Sequence, residues 1–403
     1  MSSEAPCVAV IGAGIGGLAA SLFLSRAGFE VTLIEKRTRV EEEGAGLQLS
    51  PNASHILIGA GLGPALARRA SAPSGIRIRS ARRGKEIATI PLGDEARARF
   101  GAPYFVIHRA DLAGLLLDAV RSEPRIRLLY GREAQGLSES GSRITIAMRN
   151  ERGAASKLEC EAAISADGLW SAAAAKTPPN YSGFAAWRAL LPAADAPDFA
   201  RSDTVGLWLA PEAHLVHYPV RDGKAINIVA VIKEGAPQEG WSRDGEPDHI
   251  RRAFTEWSRE ARVLIAAPPA WRCWSLFDRK PLRHWSSGRQ TLLGDAAHPM
   301  LPFLAQGAAM AIEDAAVLAR EFAPLSSGGS KRDIAAALRR YELARRSRTA
   351  KAQREARRNI FAYHAPWPFG RVRDAILSRS SGERLIGSYD WLFGWRADAA
   401  LGR

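Results

Sequence analysis

Thirty residues near the start of the chain constrain everything after them. Cys7 to Ile11 is a short apolar run ended by glycine, which reads as a strand buried on both faces, as in a parallel sheet. Gly12, Gly14 and Gly17 then follow in a G-x-G-x-x-G pattern, and Leu18, Ala19, Leu22, Phe23 and Ala27 recur at helical spacing up to Gly28. A second apolar run, Val31 to Ile34, ends at Glu35, 23 residues after Gly12. Gly12 permits the tight strand-to-helix turn, Gly14 lets a pyrophosphate approach the backbone, and Gly17 lets helix lie on strand. The open N–H groups at Ile15 and beyond face phosphate. Glu35 is placed to accept hydrogen bonds from a ribose, with Lys36 beside it. The pattern predicts a dinucleotide site of Rossmann type and leaves FAD and NAD both open.

The chain has 403 residues, enough for a large interrupted domain with a second core. Three scattered cysteines, Cys7, Cys160 and Cys273, form no C-x-x-C pair, which argues against a disulfide framework and a zinc site and fits a reducing cytoplasm. No run of about 18 apolar residues is free of charge, so no membrane span is expected. The formal net charge is +14, with many arginines between Arg339 and Arg358. Nucleic acid is not the expected partner; the arginines read as a solvated helix face, and the positive field suits anionic substrates and NAD(P)H.

Further along, Gly44-Ala45-Gly46-Leu47-Gln48 suggests flat backbone beneath something planar. Ile76–Ser80 and Lys85–Pro91 flank Arg83-Gly84 as a hairpin. Strands are expected at 125–130 and 143–148, and a strand ending in Asp167-Gly168 at 163–168. Residues 181–277 alternate in hydrophobicity and read as a mainly antiparallel sheet with one helix near 248–265. A buried strand at 290–293, a loop at 294–303, a helix at 306–322, a flexible joint at 326–330 and a long basic helix at 331–363 complete the chain.

Three stretches together resemble the class A FAD-dependent aromatic hydroxylases, of the para-hydroxybenzoate and salicylate hydroxylase type. They are the opening fingerprint, Ala166-Asp167-Gly168-Leu169-Trp170-Ser171, and Leu293-Gly294-Asp295-Ala296-Ala297-His298-Pro299 continuing to Gln306-Gly307 and Glu313-Asp314. The ending Tyr389 to Trp395 is also similar to salicylate hydroxylase C-termini. The resemblance implies an α/β fold: a Rossmann-like FAD-binding domain of the GR2 type, interrupted by an antiparallel substrate sheet and followed by C-terminal helices. Its implied segments are 1–72, 101–180 and 278–323 for the FAD domain, 73–100 and 181–277 for the substrate domain, and 324–403 for the helical region.

It also implies FAD as cofactor, NADH or NADPH and O2 as co-substrates, and hydroxylation of a small aromatic substrate through a flavin hydroperoxide. Monomer and homodimer both remain open. Further readings are a monooxygenase acting on a non-aromatic or antibiotic-like substrate, and a flavin-binding protein without turnover. For the cofactor, the resemblance implies Arg109, Asp167 and Asp295, then Ala45, Gly46 and Gln48 on one side of the flavin and Pro302, Ala305, Gln306, Gly307 and Ala308 on the other. A surface ion pair is the other reading of Arg109, and a helix cap that of Asp295. The family's A-D-G-x-x-S-x-x-R ends here in Ala174 instead of arginine, which leaves nicotinamide-nucleotide recognition open.

His214-Leu215-Val216-His217-Tyr218-Pro219 resembles the H-x-x-x-Y-P of 3-hydroxybenzoate and 6-hydroxynicotinate hydroxylases. On a strand, His214 and Tyr218 share a face. His214 is the expected base for a phenol proton, with Tyr218 beside it; a hydrogen-bonded sheet histidine is the alternative. His217 points the other way and is a secondary substrate-side candidate. Trp187-Arg188 is the other, with Arg188 either gripping a substrate carboxylate or held in a structural ion pair. Pro302 lies on the substrate side as well. The eleven tryptophans read mainly as core.

Overall fold

The computed structural model describes residues 6–39, 46–237, 242–326 and 333–397. At its centre Cys7–Ile11 lies between two parallel neighbours, Glu30–Ile34 and Ala162–Ser165, with Val8 paired to both Val31 and Ala162. The six-stranded sheet runs Ser286–Ser287, Gln290–Leu292, Ala162–Ser165, Cys7–Ile11, Glu30–Ile34, Ile126–Leu129; its outermost pair, Ser286–Ser287 with Gln290–Leu292, is antiparallel. Strand order reverses around Cys7–Ile11, which opens a crevice at the carboxyl ends of the central strands. Helices Ile15–Arg26, Arg109–Ser122 and Gly307–Phe322 pack on one face. A three-stranded sheet, Arg132–Ser140, Arg143–Asn150 and Ala155–Cys160, covers the other, where Ile144, Ile146 and Met148 meet Ala9, Ile11 and Ile34. Two of those three strands are missed by hydrophobic pattern, because only one side of each is buried and their residues are mostly polar.

The second sheet has eight strands, in the order Arg243–Gly245, Trp271–Asp278, Asn180–Pro192, Ala225–Lys233, Ala213–Val220, Thr204–Ala210, Gly75–Ser80, Glu86–Pro91. All pairs are antiparallel except Thr204–Ala210 with Gly75–Ser80. The hairpin closed at Gly84, in the left-handed region at φ +68°, thus joins a sheet whose other strands begin only at Asn180. The helix expected over 248–265 is two, Pro247–Ala253 and Arg259–Ala266. Phe254 and Trp257 fill the break, their rings 4.3 Å apart.

The basic helix runs Ile334–His364; of the joint before it, only Ser326 lies among the described residues. Its arginines are not simply solvated. Arg345 is fully buried, with Nε 2.7 Å from Asp314 and Nη1 2.6 Å from Glu313. Arg348 reaches Glu313 at 2.7 Å and donates to the carbonyls of Trp391 and Leu392, both at 2.9 Å. The small-residue helix Gly307–Phe322 lets its neighbours come close, and its inward acids need cations, so sequence-distant arginines turn inward. Among the described residues no helix is long and apolar enough to cross a membrane.

Candidate functional site

At the mouth of the parallel sheet, Gly12 adopts φ +100°, and a Cβ there would lie 2.6 Å from the Ala166 carbonyl oxygen. A Cβ on Gly17 would lie 1.8 Å from the Gly12 oxygen, so helix and strand approach more closely than any side chain permits. Gly14 caps helix Ile15–Arg26 without a side-chain hydrogen bond, leaving first-turn N–H groups for an anion. Ile15 offers only its backbone, since its side chain is in the core. Glu35 accepts hydrogen bonds from the Ala13 N–H at 2.8 Å and the Arg37 N–H at 2.9 Å, which fixes the carboxylate beside the glycine turn. Lys36 is exposed next to it. Asp167 follows the neighbouring strand, which ends at Ser165, with Lys36 and Arg279 nearby.

Asp295 is exposed yet hemmed in by protein, the condition of a side chain lining a deep cleft. That crowding pushes its carboxyl above the usual range, against the pull of Arg109. Gly307 starts the following helix, whose cap residue Gln306 makes no side-chain cap bond, and Ala308 is half-buried in the first turn. Ala305 takes a left-handed conformation at φ +53°, a strain of roughly 1–2 kcal/mol for a residue with a Cβ. The Gln306 side chain is not free for a cofactor: it is buried, donates to Ser50 Oγ at 2.8 Å and accepts from Asn52 Nδ2 at 3.2 Å. Asn52 also donates to Glu313 at 2.6 Å. His298 sits 2.5 Å from Asp314; burial alone would raise that acid, but His298 and Arg345 hold it at about 2. A paired acid network therefore anchors the loop beneath the cleft. Two uncapped helix N-termini, glycines with no room for a Cβ, and an enclosed carboxylate fit FAD.

The substrate sheet faces this cleft with alternate residues. His214, Val216 and Tyr218 point inward, and cross-strand pairing sets Arg188 and Val216 on either side of Val229 and sets Asn227 beside Tyr218. A Cβ on Gly46 would lie 2.6 Å from Tyr218 Cε2 and 2.9 Å from both Tyr218 Oη and Asn227 Cγ. The Gly46 N–H donates to Asn227 Oδ1 at 2.6 Å, so the substrate sheet pins the segment expected beneath the flavin. Ala45 lies outside the described residues. Gln48 accepts from the Tyr104 hydroxyl at 2.5 Å. Burial pushes the Tyr218 phenol well above its ordinary range, opposed by Arg188.

Arg188 is half-buried, with its guanidinium 5.1 Å from the Trp274 ring centre. Its Nε is buried without a partner, and among the described residues no carboxylate pairs with it. Burial and the nearby Arg109 bring its pKa down to about 10. The ion-pair alternative for Arg188 thus loses its partner. His214 is buried, and its Nδ1 lies 2.8 Å from His364 Nε2. Burial first, then His364, hold its imidazole well below the ordinary range. Phe303 and Tyr363 pack on the same ring, at 5.3 and 5.2 Å. Pro302, one residue before Phe303, is exposed.

Two expected substrate residues lie elsewhere. Trp187 is fully buried on the reverse face, donates from Nε1 to Glu234 at 3.1 Å and stacks on His249. His217 is on that face too, between Phe199 and Trp208, where a Cβ on Gly206 would fall 2.0 Å from its Nε2. Strand parity separates each from its neighbour in the cleft. Asn227 and His364 escape sequence reading. A lone asparagine in the apolar strand Ala225–Lys233 is a usable signal. His364 has none, because 150 residues separate it from His214.

The family model described as FAD binding domain matches residues 6–356. The chain is 35% identical over 392 residues to 3-hydroxybenzoate 6-hydroxylase 1 of Aquipseudomonas alcaligenes, covering 96% of this chain and 97% of that one. It is 35% identical over 377 residues to 6-hydroxynicotinate 3-monooxygenase of Bordetella bronchiseptica, covering 91% and 95%. Among solved structures, a salicylate hydroxylase substrate complex superimposes with a TM-score of 0.82 at 26% identity, over 99% of this chain and 98% of that one. HpxO of Klebsiella pneumoniae with FAD and uric acid gives 0.82 at 25% identity, over 98% and 97%.

Proposed function

The chain belongs to the FAD-binding-domain family and is an FAD-dependent aromatic monooxygenase; from that premise we propose that it hydroxylates a small ring bearing both a hydroxyl and a carboxylate. The observation that carries the substrate class is Arg188, a cation facing the flavin cleft with no acidic partner among the described residues. NADH or NADPH is the reductant typical of the family, with O2 as the second co-substrate. When bound, FAD supplies the redox chemistry, accepting hydride and activating oxygen.

The chain's own residues bind, orient and move a proton. Gly12, Gly14 and the first-turn N–H groups would hold the pyrophosphate, Glu35 the adenosine ribose, Arg109 the phosphates or ribose, and Asp295 the ribityl hydroxyls. The Arg188 fork takes the substrate carboxylate in two parallel hydrogen bonds. Tyr218 stays protonated, because burial disfavours its anion, and donates to the phenol oxygen. His214, neutral at pH 7, accepts the phenol proton at Nε2, its Nδ1 being engaged by His364. Leu207, Val216, Met300 and Leu304 line the apolar side and exclude water.

All of these side chains come from one chain, so a monomer or a homodimer can carry the site. The free thiols Cys7, Cys160 and Cys273 suit the cytoplasm. The test is NAD(P)H oxidation with 3-hydroxybenzoate, 6-hydroxynicotinate and salicylate, each against its carboxamide. We expect at least one acid, and no carboxamide, to stimulate turnover; stimulation by none of the acids rejects the substrate class. Asp295→Ala should emerge largely free of flavin, read from its visible spectrum, and full occupancy would remove Asp295 from the cofactor site.

A further inference from the structure

Large apolar side chains crowd one part of the surface, far along the chain from the cofactor fingerprint. Ten large hydrophobic side chains are exposed among the described residues, and five of them fall between Phe361 and Ile376. These are Phe361, Trp367, Phe369, Val372 and Ile376, exposed from 55% for Phe369 to 75% for Trp367. Phe361 lies near the end of helix Ile334–His364, and Phe369 opens helix Phe369–Ser378. Their rings are 5.9 Å apart, so the two helices present one continuous patch. Phe369, Val372 and Ile376 recur at i, i+3 and i+7 on the outer face of the second helix, while Leu377 packs inward on a buried apolar cluster. The fold uses Leu377 and leaves the outer three unused, where a helix facing water is ordinarily polar.

The patch is preformed. Arg373 donates from Nη1 to the carbonyls of Ala362 and Tyr363, both at 2.9 Å, and pairs with Asp374 at 2.7 Å, which pins the second helix to the end of the first. His364 and Ala365 are buried beneath the join. With about 150–250 Å² for each aromatic side chain and somewhat less for valine and isoleucine, the five expose roughly 600 Å². That is the upper end of what monomers leave in one patch, where such surface marks an interaction site. Cations border it. Arg354 and Arg358 precede Phe361 by seven and three residues and share its helix face, and Arg379 follows Ile376 by three; all three are exposed. From Lys351 to Arg384 the chain has eight cations against three acids. Two of those acids, Glu355 and Asp374, are already paired with Arg358 and Arg373.

We propose that this patch docks the protein on an anionic lipid bilayer, with Trp367, Phe369, Val372 and Ile376 entering the boundary between headgroups and acyl chains and the bordering arginines meeting lipid phosphates. A tryptophan, apolar in body and polar at its N–H, suits that boundary. A helix with an apolar outer face and basic neighbours lies in the plane of such a surface, and each cation near it adds attraction. A second copy of the chain fits less well. A two-fold contact sets the patch against itself and brings the arginine border of one copy onto that of the other, between chains that each carry a formal net charge of +14. The patch is also smaller than the about 800 Å² that each partner of a stable pair buries. The contact is adsorption, since no helix among the described residues is long and apolar enough to cross a membrane.

The experiment mixes the FAD-loaded enzyme with vesicles of phosphatidylcholine, alone or with phosphatidylglycerol, and follows binding by cosedimentation. Wild type should bind the mixed vesicles, bind phosphatidylcholine alone at least about tenfold more weakly, and release the mixed vesicles as salt is raised. The triple variant Trp367→Ser, Phe369→Ser, Ile376→Ser keeps every charge and should bind at least about tenfold more weakly. Its flavin content and turnover should be unchanged, because these side chains lie on the outer surface. Arg354→Glu with Arg379→Glu keeps the apolar face and should lose binding to a similar extent. Brominated phosphatidylcholine in the mixed vesicles should quench wild-type tryptophan emission, and quench it less in Trp367→Phe, which still binds. Wild type that binds neither vesicle overturns the proposal, as does equal binding to both. A triple variant that binds like wild type also overturns it, leaving only adsorption by net charge. Wild type that ignores vesicles and sediments as a dimer, with the triple variant a monomer, gives the patch to a second copy instead.

Discussion

The two faces of the eight-stranded sheet carry similar residue types and serve different ends. Toward the cleft stand His214, Tyr218, Asn227 and Arg188; behind them stand His217, Trp208, Trp187 and the helices Pro247–Ala253 and Arg259–Ala266. His214 has a hydrogen-bonding partner at 2.8 Å, whereas neither ring nitrogen of His217 has one among the described residues. Arg188 lies over an aromatic ring with its Nε unsatisfied, whereas Trp187 is packed and bonded. Polar groups left with unmet capacity on the cleft side mark where a ligand completes the structure. The same deficit at His217, shut in by Phe199, Trp208 and Gly206, is only a cost.

The sharpest way to break this contrast is on the packed side. Trp187→Ala should lower stability by about 3–5 kcal/mol in denaturant unfolding, through the cavity it leaves. Substrate KM in the folded fraction should stay put; a selective rise in KM would return Trp187 to the site. Next in size is His214→Ala. It should keep its flavin and still consume NAD(P)H, while product formed per NAD(P)H falls, the oxygen-transfer step slowing by about 10²-fold. Raising the pH should recover part of the loss, because bulk solvent then ionises the phenol. If His217→Ala uncouples and His214→Ala does not, the two faces exchange roles.

A smaller effect is expected at Arg188. Arg188→Lys keeps the charge but loses the fork, and KM for the acid substrate should rise about tenfold with flavin content unchanged. Unaltered kinetics would make the arginine structural.

The smallest effect at neutral pH belongs to His217. Burial and Arg79 hold its pKa at about 3, below the ordinary value of about 6.5, so the unfolded chain binds the extra proton first as pH falls. Its contribution therefore costs stability progressively between about pH 6.5 and 3, by up to about 1.4 kcal/mol per pH unit. His217→Leu should be near neutral at pH 7 and flatten the acid limb of the stability curve. An unchanged slope would mean that His217 does not titrate alone.

Much of the cofactor half was legible because its constraints are local. The strand, the glycine turn, the helix and the acid lie within about thirty consecutive residues, and a Cβ on Gly17 would strike Gly12 of the same turn; the contacts with Ala166 cross to another strand. The strand period also placed His214 and Tyr218 on one face, since alternation depends only on backbone geometry. That same period, applied to Trp187 next to Arg188 and to His217 next to Tyr218, already separates cleft from core. What it cannot say is which face meets the flavin.

Tertiary structure decided the rest. Gly46 meets Asn227 across 181 residues, His214 meets His364 across 150, and Arg345 meets Asp314 across 31. The arginines of the last long helix read as a solvated face, because nothing in their spacing reveals the buried acids of another helix. A sequence by itself determines the interactions that close within a turn, a strand or a helix, where the chain limits the partners. Pairs formed across sheets and between distant helices depend on how whole elements pack. Burial then sets which polar groups must find partners and which are left for a ligand.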